Sequence, residues 1–442
     1  MSTNRMKIDV NGLKEGMFVA DLDCPWHETP FPLQGFYIRQ DDDVQALAEY
    51  CKYVYVDVKK QKAKTHYASH AAFKPVEGKR RNENPEDHVS LKLPPIVIKS
   101  PAQYESTSSI QKEVIKVKKL QAHVYEAIDN VYAGLENGID VSVKETERVA
   151  DGMVESIIRN PDAMVWLAKM NESDSHTYRH SVNASIWALV FGRHLGLDKK
   201  RLKTLAMGVL LSHIGKIKLD FELVERADSL TGSELQTYQS YVGLSVDMLD
   251  DMENLSSGVN AIVRFHQERH NGSGFPEGVT GEKIPLLAKI AGLVDHYQYL
   301  ITPREAQRGQ SPLEAVSSLY ELRNIAFQKD LVEKFIEAVG VYPTGTLVEL
   351  SSSEVGIVTG HNQERRLQPT VMVVLDPSKR PLKNGRLVDL MEYNRDRKES
   401  QSLYIRESLP KGAYDIDETQ FLLTGAKSKW SWQHLKGSLA AS

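Results

Sequence analysis

The sequence predicts a mainly helical protein: an antiparallel helical bundle with a small α/β unit at its N-terminus and a β-rich appendage at its C-terminus. Three observations lead there. Between Ile110 and Val339 apolar residues recur at three- and four-residue spacing, with short turns between segments. Before that stretch, short alternating runs flank a single helical pattern. After Gly340 alternation returns, broken by glycine and proline.

In the first unit (residues 1–65), Phe18-Val-Ala, Gly35-Phe-Tyr-Ile-Arg and Tyr53-Val-Tyr-Val-Asp-Val read as strands. Asp43 to Cys51 reads as a helix with an acidic start, which favours the positive end of the helix dipole. Residues 66–109 are rich in Lys, Arg, Asn, Glu, Pro and Ser and read as a polar linker; the cluster Lys79-Arg-Arg81 is followed at once by acids, as on a solvated segment. The bundle, residues 110–340, is expected to include helices over His180–Leu195, Lys199–Leu211, Gly232–Asp251, Gly258–Glu268 and Leu286–Leu300. Residues 341–395 form the β-rich appendage, and 396–442 a polar tail whose Trp430 and Trp432 are suited to docking.

A chain of 442 residues is too long for one small core, which implies two or three domains. The net charge of −4 excludes a general nucleic-acid binder, since no domain carries a broad basic excess. Cys24 and Cys51 are the only cysteines, as expected of free thiols in a reducing compartment. The first residues lack the apolar stretch of a secretory leader, and no run is long enough to span a membrane, so a cytoplasmic location is expected.

The most informative stretch is His266-Gln-Glu-Arg-His-Asn-Gly-Ser-Gly-Phe-Pro276, preceded by Leu211-Ser-His-Ile-Gly-Lys216 and, further upstream, by His180. In order, spacing and framework residues these segments resemble the HD-GYP family of bacterial cyclic-di-GMP phosphodiesterases. The resemblance is strong from about Glu172 to Val341, and the flanking units look like those of one subgroup. It implies an HD-type bundle in which imidazoles and carboxylates from several helices hold two or three cations, which activate water and neutralise phosphate charge.

Residue by residue, the resemblance is broken at the metal positions. His180, His266 and Asp295 match metal ligands, and Lys216 matches the lysine that contacts substrate phosphate or metal-bound water. Ser212 and His213 stand where the family has its His-Asp pair. Tyr241 and Gln267 each replace a histidine, and His176 stands where some members place a glutamate for a third metal. A serine hydroxyl and a phenol are poor ligands at neutral pH, and a neutral imidazole cannot bridge two cations as a carboxylate can. The retained groups, with His213 and His176 as further candidates, could hold one iron, manganese or zinc ion; a full binuclear site is not expected. Gly272, Gly274, Phe275 and Pro276 keep the frame of the family's loop, with Phe275 for Tyr and Asn271 for Asp. By resemblance this loop lines the pocket and contacts diguanylate cyclase (GGDEF) domains, and Phe275 keeps a ring to stack on guanine. Arg304 matches an arginine near the pocket mouth, while Ala306-Gln307 replaces the usual aromatic-arginine pair.

The expectation is therefore a degenerate HD-GYP protein of cyclic-di-GMP signalling. It would act through protein contacts or nucleotide sensing, in control of biofilm and motility, with homo-oligomerisation open. The alternative is an active phosphodiesterase with a rearranged metal site on His180, His213, His266 and Asp295.

Overall fold

The computed structural model describes residues 5–24, 26, 29, 31, 33, 35–58, 92–137, 143–170, 176–250, 252, 255–302, 309–360, 368–395, 397, 401–409 and 413–416. The expected linker up to residue 91, Arg304, and the tail's Trp430 and Trp432 lie outside these residues.

The N-terminal unit is a four-stranded antiparallel sheet of β1 (Arg5–Asp9), β2 (Phe18–Leu22), β3 (Phe36–Tyr37) and β4 (Tyr53–Asp57), in the order β1-β4-β2-β3, with helix α1 (Asp41–Tyr50). Strand β1 gave no alternation signal because its side chains are mostly exposed; pairing with β4, Arg5 opposite Asp57, holds it in place. Three aspartates, Asp41, Asp42 and Asp43, open α1 and complement its dipole.

The helical body runs through α2 (Ile110–Glu136), α3 (Val143–Arg159), α4 (Pro161–Met170), α5 (His176–His194), α6 (Lys199–Leu211), α7 (Phe221–Glu225), α8 (Gly232–Gln239), α9 (Tyr241–Asp250), α10 (Ser257–Phe265), α11 (Leu286–Ile301), α12 (Pro312–Glu321) and α13 (Lys329–Val339). Local signals set several of the ends. Asp198 caps α6 by accepting from the Arg201 amide at 2.9 Å; Ser311 and Glu314 form a reciprocal capping box on α12, with Pro312 in its first turn. Two boundaries differ from expectation. The single helix expected over Gly232–Asp251 divides at Ser240 into α8 and α9, and the helix expected to reach Glu268 stops at Phe265, where the Glu268 amide turns back to the Phe265 carbonyl.

Helices α5 and α11 form the centre. From Ile290 to Gln298 every residue of α11 is buried, so the helix is enclosed on all sides. Trp187 on α5 donates its indole N–H to the Gln298 side-chain oxygen of α11 at 3.2 Å, and its ring packs edge-on against Tyr297. That bond sets the register of the two helices.

The C-terminal sheet joins β5 (Leu347–Leu350), β6 (Val355–Gly360), β7 (Thr370–Leu375), β8 (Pro381–Asp389) and β9 (Ile405–Ser408) in the antiparallel order β8-β7-β6-β5-β9, with a short helix α14 (Leu390–Asn394). Strand β9 corrects the expected boundary at residue 395. It lies in the stretch assigned to a polar tail, and its pairing with β5 (Glu349 opposite Glu407) makes it part of the sheet. Only Ile405 of β9 is buried, too weak a pattern to read from sequence.

Buried side chains from both sheets and the bundle form one continuous apolar core. The N-terminal unit docks on the end of α12 through a buried ion pair. Arg323 donates to Asp43 Oδ1 at 2.6 Å, with both side chains nearly inaccessible, while Asp43 Oδ2 accepts from the Arg39 amide at 2.9 Å. Phe36 packs edge-on against Tyr320 beside it.

Removing one partner of a buried pair strands the other charge. Asp43→Ala should therefore lower stability by about 3–5 kcal/mol in urea unfolding. Asp42→Ala, which loses an exposed pair with Lys92 and one of three first-turn charges, should change it by about 1 kcal/mol or less. Equal effects would show that the Asp43–Arg323 pair does not hold the unit in place.

Candidate functional site

His180 lies one turn into α5 and Asp295 midway along α11. The register set by Trp187 and Gln298 brings His180 Nε2 to 2.6 Å from Asp295 Oδ1. His213, in the turn after α6, places Nε2 3.3 Å from the same oxygen. Its Nδ1 is 3.3 Å from the Ser181 hydroxyl, which can donate to it. One ligand atom from each of His180, His213 and Asp295 lies within 4.8 Å of the others.

The other oxygen of Asp295 is also taken. The Gln267 amide donates to Oδ2 at 2.9 Å, and its carbonyl accepts from the Arg269 guanidinium at 2.9 Å. Gln267 thus joins a buried carboxylate to a buried guanidinium. Arg269 donates further to the backbone carbonyls of His266 and Glu268. Gly292 permits this approach of α11 to the end of α10, since a Cβ there would sit 2.3 Å from the His266 carbonyl oxygen.

His266 lies beside this group, its ring centre 5.5 Å from that of His213. Its Nδ1–H donates to the Val263 carbonyl at 2.7 Å, leaving Nε2 as acceptor, and the Tyr241 hydroxyl donates to Nε2 at 3.1 Å. Of the expected candidates, His180, His213 and Asp295 lie within reach of one ion, while His266 has its free nitrogen on the Tyr241 hydroxyl. Ser212 turns away, its hydroxyl donating to the Val209 carbonyl at 2.9 Å. Lys216 is buried with its ammonium 4.6 Å from the centre of the Tyr241 ring. His176 begins α5, but its side chain lies outside the described residues, as does Arg304.

Burial governs the charges. It lowers His213 well below the ordinary imidazole value, helped by nearby Lys216, and lowers His266 to about 4. Burial pushes the Asp295 carboxyl up, but His213, His180 and the hydrogen bond from His180 outweigh it and hold it well below the usual range. Tyr241 is raised well above its ordinary value by burial first, then by Tyr238 and Asp295, so it remains a neutral phenol. Burial also lowers Arg269 to about 10, which leaves it charged.

The glycine-rich loop folds back on the site. Gly274 lies so close to the 267–269 backbone that a Cβ would meet the Gln267 oxygen at 2.4 Å, and Gly272, at φ +81°, donates its amide to the Arg269 carbonyl. The Phe275–Pro276 peptide is cis. Phe275 is 1% exposed and packs edge-on to Tyr241 within a small core that includes Leu230, Tyr238 and Val242. The expectation of a ring open for stacking on a guanine is therefore corrected: the phenyl group packs inside that core.

Glu268 had no role in the sequence reading. Its buried carboxylate accepts from the amides of Glu277 and Gly278, at 2.7 and 3.0 Å, and of Val279, at 3.1 Å, and so anchors the loop. No spacing rule marks such a residue, because its partners are backbone groups.

A fit to metal can be judged from these donors. His180, His213 and Asp295 suit one cation, which would replace the protons now shared between imidazole and carboxylate. A bridged second cation finds no ligands among Ser212, Tyr241 and Gln267.

Comparison with known proteins agrees with the architecture. A family described as "HD domain" matches residues 165–327, and one described as "Domain of unknown function (DUF3391)" matches residues 5–146. The first match lies within the helical body, from α4 to the turn after α12. The chain is 28% identical over 371 residues to a cyclic di-GMP phosphodiesterase of Pseudomonas aeruginosa, covering 83% of this chain and 84% of that protein. It is also similar to the cyclic di-GMP phosphodiesterase PdeB of Borreliella burgdorferi, 24% identical over 48% of this chain and 54% of the relative. The cyclic di-GMP phosphodiesterase response regulator RpfG of Xanthomonas campestris is 26% identical over 43% of this chain and 51% of its own. This chain thus spans most of the first relative and about half of the other two. A solved structure described as an HDG"Y"P protein of Bdellovibrio bacteriovorus aligns with a TM-score of 0.44 and 17% identity, over 75% of this chain and 98% of that one.

The depressed imidazoles give a signed pH dependence. The unfolded chain takes up these protons near pH 6.5, but folded His266 does so only near 4, so the unfolded state binds more protons between those values. Stability is complete above about pH 6.5 and falls by roughly 3 kcal/mol for His266 as pH drops towards 4. Urea midpoints of chelator-treated protein should be lower at pH 5 than at pH 7, and His266→Asn should reduce the difference. Equal midpoints in the unmodified protein would contradict a neutral, buried His266.

Proposed function

We propose that this is an HD-GYP-type protein of cyclic-di-GMP signalling whose hydrolytic centre has been retired, and which acts by sensing the nucleotide or contacting a partner. The observation that carries the proposal is the closed hydrogen bonding of the old metal cavity. Tyr241 takes the free nitrogen of His266, while Gln267 takes one oxygen of Asp295 and ties it to Arg269. Groups that would otherwise face cations are satisfied by protein, and the buried carboxylate already has its countercharge. Function resides in a site rather than a fold, so relatives that hydrolyse cyclic di-GMP support the signalling context without settling turnover. The partly exposed loop residues Asn271–Ser273 and Pro276–Val279 are the natural contact surface for a diguanylate cyclase domain, since Phe275 is turned inward.

The second reading, a phosphodiesterase with a single cation, draws support from the His180, His213 and Asp295 group. There His213 would supply the ligand that the family's aspartate provides, and Lys216 would stand ready for phosphate charge.

Metal analysis and cyclic-di-GMP hydrolysis on one chelator-free preparation separate the two. The proposal expects less than about one equivalent of iron or manganese and no linear dinucleotide. One or more equivalents with linear product would overturn it. The combined variant Ser212→His, His213→Asp, Tyr241→His and Gln267→His should bind more iron or manganese than the unmodified chain. If it folds and binds none, the assignment of these positions as former ligands is wrong.

A further inference from the structure

A second cluster of metal-binding groups lies in the N-terminal unit, away from the HD site. Cys24 follows β2, and Cys51 ends α1 just before β4. Their sulfurs are 3.6 Å apart. Asp23 completes the group, with one ligand atom from each residue within 4.8 Å of the others. Both cysteines are free thiols, Cys51 buried and Cys24 half-buried.

The Asp23 carboxylate is oriented and half satisfied. Oδ2 accepts from the Lys52 amide at 3.0 Å and the Tyr53 amide at 3.3 Å. Oδ1 is shielded from solvent and has no hydrogen-bond partner. Apart from the Cys51 thiol beside the carboxylate, nothing among the described residues occupies this side of Asp23, which leaves Oδ1 open to a cation. The sulfur separation fits one. Two thiolates bound at ~2.3 Å to a tetrahedral zinc lie about 3.8 Å apart, close to the spacing seen here. The backbone amides on Oδ2 act as the outer hydrogen bonds that orient ligating carboxylates. The exposed side of Cys24 offers a way in.

We propose that Cys24, Cys51 and Asp23 form a binding site for a thiophilic divalent cation, zinc by preference, with the fourth position left to water. Two thiolates and a carboxylate suit zinc better than magnesium or calcium, which prefer all-oxygen sites. The site clips the end of β2 to the α1–β4 corner. Since α1 also carries Asp43, the cation would brace the helix that docks the unit on Arg323.

Because these are the only two cysteines in the chain, sulfur-specific readouts report this site and no other. Full-length protein, reduced and stripped of metal, is titrated with cobalt(II). The expected result is a thiolate-to-cobalt charge-transfer band in the near ultraviolet that saturates at about one equivalent and is abolished by zinc. The HD site has no thiol, so His213→Ala should leave the band unchanged. Cys51→Ser and Cys24→Ser should each remove it, and Asp23→Asn should weaken zinc binding by at least about tenfold. Zinc should also protect both thiols of the unmodified protein from alkylation, a readout that depends on no variant. Absence of the band together with equal alkylation with and without zinc overturns the proposal. So does a pair that loses two hydrogens to form a disulfide under air while zinc is present, which would assign the cysteines to redox chemistry.

Discussion

The HD site is organised around one buried carboxylate. Asp295 lies on a helix with no solvent-facing side along its central turns, and a charge there is tolerable only if every lone pair is met. His180 meets one oxygen, with His213 3.3 Å from it, and Gln267 meets the other, and Arg269 holds Gln267 in place. Much of the surrounding geometry follows from that demand. The register of α5 on α11 delivers His180, and the close pass of Gly292 under His266 delivers Gln267.

The same network links elements far apart in sequence. The stretch from His266 to His270 contacts α11 on one side and the 325–326 backbone on the other, where His270 and Asn271 donate to the carbonyls of Ala326 and Ile325. Two residues before that backbone, Arg323 holds Asp43 of the N-terminal unit. A continuous run of hydrogen bonds and packing therefore joins the N-terminal unit to the loop beside the site. This is spatial continuity; coupling in the energetic sense requires a two-state element that both ends bias.

Much of the fold was legible because it rests on short-range pattern. Helical periodicity located α5, α6 and α11, and alternation located most strands. Elements with little buried surface were not legible: β1 and β9 exist through pairing with distant strands, and nothing within five residues announces a partner. The site was legible as a set of positions. Its closure was not, because the bonds from Tyr241 to His266 and from Gln267 to Arg269 depend on three-dimensional placement. Glu268 escaped notice since its partners are backbone amides, which every sequence possesses.

By itself the sequence determined the helical class and the kinds of side chain at Ser212, Tyr241 and Gln267, since these depend on periodicity, spacing and side-chain identity. Tertiary structure alone decided that His180, His213 and Asp295 lie within reach of one another and that the Tyr241 hydroxyl meets His266. It also decided that Phe275 turns inward, and that Cys24, Cys51 and Asp23 meet. The physical reason is common to all three. Which lone pair a buried group faces, and whether a ring can reach a core, is set by how helices and strands pack, and packing is a property of the whole chain.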